Sequence, residues 1–411
     1  MSFYKSKLAV AVAAAAGLTF SAGAFATNGI IQAGNGMVAH GVGGAGLSNA
    51  AEASSGVDNP ALISQTGDSI SVAWSMFMPD REFERPAGAG GGTEVSDSRL
   101  FAIPQAAFTS KINNEMSWGI MAYAMGGMNT DYRDGAAPGS GPESVNLQGM
   151  IIAPTLSYAF NKNVSAGVSL LIGYMNLTAR NLFSAFPVAN NTFDDTSVGY
   201  GVKLGIDAKV ADGISVGAMI QPQMQMDEFE GFKTFLNNFG YTGDASIPLP
   251  NEFGVGAKFA AGNSMDIVAD ILYYQWTGNE VFEFFGWEDQ IVYKVGVEYR
   301  PSDKLALRAG FNYGESPIKG GNTTAPISTF GGTTADAAFA NYLFPAISET
   351  HVTLGLSYKM DKSMTISGYY LYAPEASQTA TTSNFGGGYP TGTTISMTQH
   401  AFGLGLNYAA K

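Results

Sequence analysis

The sequence predicts an all-β chain, a 14-stranded antiparallel transmembrane β-barrel whose lumen an N-terminal segment plugs, and three observations carry this. Runs of alternating apolar and small or polar residues begin near residue 68 and persist to the C-terminus. Six short polar turns punctuate them, at Asn113-Asn114, Asn161 to Asn163, Asp212, Asn263, Asp303 and Asp361, while the connections between hairpins are far longer. Short turns at one end and long loops at the other is the layout of outer-membrane barrels. Finally, only 13% of the 411 residues are charged, too few for a soluble surface of this size, and 52 are Gly. A barrel gives only every second residue to lipid, which accounts for a mean hydropathy of just +0.05.

Residues 1–26 read as a secretory signal. Lys5 and Lys7 start it, Leu8 to Phe20 form its apolar stretch, and Ala24-Phe25-Ala26 offers a cleavage site before Thr27. The apolar stretch falls short of the ~18 residues of a membrane helix, and no later segment approaches that length, so a helical membrane protein is excluded. Without its two lysines the formal charge moves from −13 to −15. So acidic a chain is a poor candidate for nucleic acid. The absence of cysteine excludes disulfides and thiolate chemistry.

Residues 27–67 are rich in Gly, Ala, Ser and Asn, lack aromatics and show no sustained alternation. They are expected to form a compact plug outside the strand ladder, leaving 68–411 as the barrel. The glycines at 41–46 superficially resemble a phosphate loop but lack the flanking strand and helix it needs. They fit tight folding of the plug better.

Two strands per short turn, plus one at each end of the series, give fourteen. The expected spans are 68–78, 100–111, 115–126, 146–160, 164–175, 197–210, 213–225, 251–260, 264–276, 289–300, 304–314, 350–359, 363–372 and 395–408. Strand 5, for example, sets Val164, Ala166, Val168, Leu170 and Ile172 against Ser165, Gly167, Ser169 and Gly173. Strand 14 sets Phe402, Leu404, Leu406 and Tyr408 against Gly403, Gly405 and Asn407. Phe108, Phe160, Tyr299, Tyr358 and Tyr408 fall at the short-turn ends, and Trp74, Tyr174, Tyr313 and Tyr370 at the long-loop ends. Two aromatic belts one strand apart suit the two bilayer interfaces.

Two residue sets carry functional expectations. Loop 3, between strands 5 and 6, holds Phe183, Phe186 and Phe193; loop 4, between strands 7 and 8, holds Phe229, Phe232, Phe235, Leu236 and Phe239. The spacing of Phe229, Phe232, Leu236 and Phe239 is helical. Loop 5 adds Phe282, Phe284, Phe285 and Trp287. Such patches mark binding sites, here an apolar groove for a hydrophobic small molecule, or else the core of a lid formed by loops packing on each other. The second set is the ionic residues that alternation turns inward: Lys203, Asp207, Lys258, Asp266, Asp270, Lys294, Glu298 and Arg308. They brace the wall and hold the plug, or a cation among Lys203, Lys258, Lys294 and Arg308 holds a carboxylate head group, with Lys294 and Arg308 preferred.

Catalytic, cofactor and metal readings find little. His40, His351 and His400 are widely separated and have no recognisable partner pattern. Other barrel classes stay in view, a general porin and a surface adhesin or receptor. A porin would need an open bore, against which the long segment before strand 1 argues.

Several stretches resemble the FadL/TodX-type outer-membrane transporters of long-chain fatty acids and other hydrophobic molecules. They are the run ending Val57-Asp58-Asn59-Pro60-Ala61, then Leu249 to Gly256, Trp287-Glu288-Asp289, Val295 to Arg300, Leu307 to Phe311 and Ser316-Pro317. The resemblance implies a barrel among outer-membrane lipid and lipopolysaccharide, a hatch closed by Asn59, Pro60 and Ala61, and capture of a fatty acid or hydrocarbon between loops 3 and 4; nothing in the sequence suggests more than a monomer. It also implies a kinked third strand that opens the wall beside the hatch, for which Gly126 and Gly127 are the candidates. The ending Tyr408-Ala409-Ala410-Lys411 departs from the terminal aromatic such barrels carry.

Overall fold

The computed structural model describes residues 27–134, 141–184, 188–318, 324–325, 335–336, 340–381 and 392–410. The signal segment and Phe186 lie outside the described residues. Fourteen strands form the wall: β1 (Ser69–Glu84), β2 (Phe101–Lys111), β3 (Met116–Tyr132), β4 (Glu143–Ala159), β5 (Val164–Arg180), β6 (Phe193–Ala211), β7 (Ile214–Gln221), β8 (Asn251–Ala260), β9 (Met265–Gln275), β10 (Gln290–Tyr299), β11 (Leu305–Gly314), β12 (Thr350–Lys359), β13 (Met364–Thr379) and β14 (Thr394–Ala409). Each pairs antiparallel with its chain neighbours, and β14 pairs with β1, so the sheet closes on itself. Closure is what lets a sheet satisfy its backbone in lipid. Two short pieces, Thr93–Val95 and Gln225–Met226, only extend the ladders of β1 and β6.

Three of the six short turns are closed by their polar residues. Asn113 Oδ1 accepts from the backbone of Glu115 and Met116, each at 2.8 Å. Asn161 and Asp361 cap their turns the same way. Strand 7 differs from its expected span, ending at Gln221 rather than near 225. Pro222 has no N–H to give the ladder, and the chain leaves the sheet there. Several strands run past the bilayer-facing part at the long-loop end, β1 to Glu84 and β13 to Thr379.

Alternation sorts the two faces. Leu170, Tyr200, Val255, Leu354 and Leu404 stand outward and exposed, as a lipid-facing band requires. Phe160, Tyr299 and Tyr358 mark one rim and Trp74, Tyr174 and Tyr370 the other. Among the described residues no helix is long and apolar enough to cross a membrane.

The N-terminal residues pack against the inner wall through a two-residue hairpin (Thr27–Asn28 with Ile31–Gln32) and short helices α1 (Gly36–Gly41), α2 (Ser55–Asp58) and α3 (Ile63–Thr66). The small inward residues make this possible. A Cβ on Gly310 would lie 2.0 Å from Gly43 N, and one on Gly205 would lie 2.0 Å from Asn59 Oδ1. Inward polar groups then fix the segment. Asp270 Oδ2 accepts from Gly46 N (2.7 Å) and Leu47 N (3.1 Å), Ser48 Oγ donates to Asp207 Oδ1 (2.6 Å), and Thr353 Oγ1 accepts from Gly43 N (2.9 Å).

Candidate functional site

Asn59 uses its amide oxygen and both of its amide hydrogens. Its Oδ1 accepts from Ala61 N (3.0 Å), capping the 3-10 turn Pro60–Leu62, while Nδ2 donates to Leu47 O (2.7 Å) and to Ile206 O on β6 (3.0 Å). One buried amide therefore ties two parts of the N-terminal segment to each other and to the wall. Pro60 presses on the backbone at Gly167 of β5.

Beside this segment the wall is interrupted. The β2–β3 ladder runs from Lys111–Ser117 up to Ala106–Ala122 and stops, although β2 continues to Phe101 and β3 to Tyr132. The pairing of β3 with β4 shifts between Ala124 and Gly126, where φ at Gly126 is +159°. The bend thus centres on Met125-Gly126; Gly127 sits in regular pairing with Gln148. A Cβ at Gly126 would lie 2.8 Å from Ile30 O, so the N-terminal hairpin rests directly on the bend. Above the interruption Asp97 N donates to Asp131 O (2.9 Å) and rejoins the edges.

A cavity of about 40 Å³ lies just inside. Tyr123, Ala124 and Met125 of β3 form one side, and Lys203, Glu252, Asp270, Tyr274 and Lys294 the other, with Asp58, Ile31 and Leu47 from the N-terminal segment. Burial pushes the Asp58 carboxyl up to about 7, against the pull of the Asn35 hydrogen bond and of Lys294 and Lys203.

The four candidate cations separate here. Arg308 Nε donates to Glu298 Oε2 (2.6 Å) and its Nη1 to Ser357 Oγ (2.7 Å). Lys258 pairs with Asp266 (3.0 Å), and Lys203 donates to Val57 O (3.1 Å) beside Glu252 (3.6 Å). All three brace the bore. Lys294 is buried at the cavity, and among the described residues it makes no hydrogen bond or ion pair.

At the loop end, helix α4 (Glu230–Asn237) forms where the aromatic spacing placed it. Asp195 Oδ2 of β6 accepts from Phe232 N (2.9 Å), supplying from outside the N-terminal acceptor that Phe229 cannot offer. Phe183, Phe193, Phe229, Phe232, Phe235, Leu236 and Phe239 are all buried. Phe235 contacts Phe183, Phe193 and Phe239 with centroids 5.2 to 6.2 Å apart. Loops 3 and 4 are stitched by a reciprocal pair, Ala189 N to Asn238 Oδ1 (3.1 Å) and Asn238 Nδ2 to Ala189 O (2.8 Å). Between these loops the aromatics form the core of a lid. The apolar crevice, about 20 Å³, lies on the other side of Phe232, against Met128, Leu147, Val281, Phe282, Phe285, Trp287 and Phe344. Sequence reading missed Tyr123, Glu252 and Tyr274 at the cavity and Asn341 and Phe344 at the crevice, since no spacing marks them.

A closed fourteen-stranded barrel with its N-terminal segment inside and an aromatic lid defines a transport barrel of the outer membrane. The chain belongs to the outer membrane protein transport protein family (OMPP1/FadL/TodX), whose pattern matches residues 12–411. It is 24% identical over 378 residues to a long-chain fatty acid transport protein of Salmonella typhi, covering 79% of this chain and 85% of the relative. Among solved structures, the toluene transporter TodX of P. putida superposes with a TM-score of 0.68 at 15% identity, over 92% of this chain and 99% of that one. A FadL homologue of Pseudomonas aeruginosa gives 0.65 at 13% identity, over 93% and 100%.

Proposed function

We propose that this barrel admits hydrophobic molecules passively, catching them at the loop lid and releasing them sideways through the wall beside β3. The observation that carries the reading is the cavity lying directly inside the interrupted β2–β3 ladder. The relatives agree in cargo type: one is a long-chain fatty acid transport protein and another a toluene transporter. Burying each CH₂ gains about 0.8 kcal/mol, so a parting of the aromatic lid extracts a long apolar chain from dilute solution. The N-terminal segment acts as a hatch that must shift for cargo to pass, its hairpin resting on the bend at Gly126. Movement runs down the gradient, since the sequence carries no nucleotide motif.

Lys294 gives the inner cavity a cation for a carboxylate head, whereas Arg308, Lys203 and Lys258 are committed to wall and hatch. That favours a fatty acid over a plain hydrocarbon.

The chain has no native cysteine, so Pro104→Cys and Ala124→Cys can be bridged across the interruption with a bifunctional maleimide. Cross-linking should abolish uptake of a labelled long-chain fatty acid, while either single variant treated alike keeps it. Undiminished uptake through a fully cross-linked wall would remove the sideways route.

A further inference from the structure

Arg81 projects from β1 into the outer half of the bore, above Phe77 and below Phe83, and is 1% exposed. Its Nη2 donates to Ser96 Oγ (3.1 Å), and its guanidinium lies 5.6 Å from the centroid of the Phe101 ring. Among the described residues its Nε and Nη1 are buried without a partner. The neighbouring acid, Asp80, points the other way and faces Arg99 at 3.7 Å. A buried guanidinium with Nε and Nη1 both unused is expensive unless acceptors meet them, and a carboxylate is the strongest acceptor it can take.

What adjoins Arg81 points the same way. On β14 Gln399 pairs with Pro79 of β1, one inward step below Arg81. Gln399 also pairs with Ala373 of β13, next to Tyr372, which pairs with Val352 beside His351 on β12. His351 pairs with Asn312 on β11, and Asn312 with Lys294 on β10. Gln399, His351 and Asn312 are fully buried; His351 faces Gln399, Gln399 Nε2 donates to Met397 Sδ and Asn312 Nδ2 to Gly43 O, yet among the described residues Gln399 Oε1, the ring nitrogens of His351 and Asn312 Oδ1 lack a partner at regular hydrogen-bond geometry. Buried polar groups left this way in a row are rare in a native interior. The middle of the opposite wall, β3 to β5, is instead apolar, with Met121, Met125, Leu147, Ile151, Leu171 and Met175, the polar inward residues lying towards its ends. The bore is two-faced.

We propose that Arg81 is a carboxylate-binding site in the outer bore, from which the seam of Gln399, His351 and Asn312 leads the cargo's head group to Lys294 while its chain lies along β3 to β5. This rests on the uptake reading above, and adds a second, outer cation that selects the anionic head before it reaches Lys294. The test uses the whole protein in mild detergent with two probes, hexadecanoic acid and its methyl ester, and calorimetry for affinity. The wild type should bind the acid about tenfold more tightly than the ester, the effect of one charge-assisted hydrogen-bond pair. Arg81→Met should lower the acid's affinity several-fold towards the ester's, Lys294 keeping the remainder, and leave the ester unchanged; Arg81→Lys should recover part of the loss. Equal weakening of both probes would make Arg81 a structural anchor and overturn the site. So would a wild type indifferent to the charge, with uptake of hydrophobes still standing. A wild type that binds neither probe would take the uptake reading down as well. For the seam, His351→Leu with Asn312→Leu should slow acid transfer but not ester transfer; an equal effect on both, or none, would remove it.

Discussion

Trp287 Nε1 donates to Asn341 Oδ1 at 2.8 Å, and Asn341 Nδ2 returns a bond to Phe285 O at 2.7 Å. Both partners are buried, at 3% and 1% exposure. One amide therefore holds loop 5 against the segment at 340–344, on the rim of the apolar crevice. Asn341→Leu keeps the volume and removes both bonds, leaving the indole N–H orphaned. Local opening of loop 5 should become easier by about 2 kcal/mol, roughly thirtyfold. Hydrogen exchange of the amides at 280–287 reads this directly. Unchanged protection would mean that the aromatic contacts alone hold the loop.

The lid core makes a stronger prediction. Phe235 is packed among Phe183, Phe193 and Phe239, so Phe235→Ala should cost the lid about 3–5 kcal/mol, the usual penalty for emptying an aromatic site. The barrel below is held by its own ladders and should keep its denaturation midpoint. Replacing Phe232, Phe235 and Phe239 together by Ser should abolish uptake of hydrophobic substrates. Full uptake by that triple variant would show that capture happens elsewhere.

The wall was readable because lipid enforces the alternation. Strands 8 and 12 occupy the spans expected for them, 251–260 and 350–359. Beyond the bilayer that constraint lapses. Asp80, Glu82 and Glu84 stand on the outer face of the extension of β1, so pairing continues where the apolar signal has gone. The inward cations were readable for the same reason, but not which of them is committed. Arg308 is held by Glu298 because the turn at 300–304 sets those two directly opposite. The partners at the cavity, Tyr123, Glu252 and Tyr274, lie on β3, β8 and β9, brought together only by closure of the sheet. Arg81 gave no signal either. Its isolation is defined by what fails to reach it.

The separation of Lys294 from Arg308 can be tested by paired substitutions. Arg308→Met leaves Glu298 half-buried with only Arg300 to hold it (2.6 Å), and should destabilise the folded barrel by about 3 kcal/mol, the order expected when a buried pair is broken. Cargo preference should stay as it was. Lys294→Met should do the opposite to cargo, erasing any preference of uptake for a fatty acid over its methyl ester. The measurements are urea midpoints and paired uptake rates. Loss of preference in Arg308→Met alone would exchange the two roles.

Asp58 makes the hatch sensitive to pH. It lies on α2, off the spanning strands; Asn35 Nδ2 donates to its Oδ1 at 2.9 Å, while Oδ2 has no hydrogen-bond partner among the described residues. Burial raises its pKa from the ordinary 3.8 to about 7. A carboxyl whose pKa is higher in the packed state than in the unfolded chain favours packing while protonated. Its stabilising contribution is therefore complete below 3.8 and is lost as pH rises through about 7. Packing of residues 27–67 should loosen between those two values and change little above them. Asp58→Asn, neutral throughout, should flatten this dependence. Protease cleavage within 27–67, followed in detergent at a series of pH values, separates the cases. Cleavage that accelerates with pH as steeply in Asp58→Asn as in the wild type would place the titrating group elsewhere, with Glu52, whose pKa burial also raises, the next to substitute.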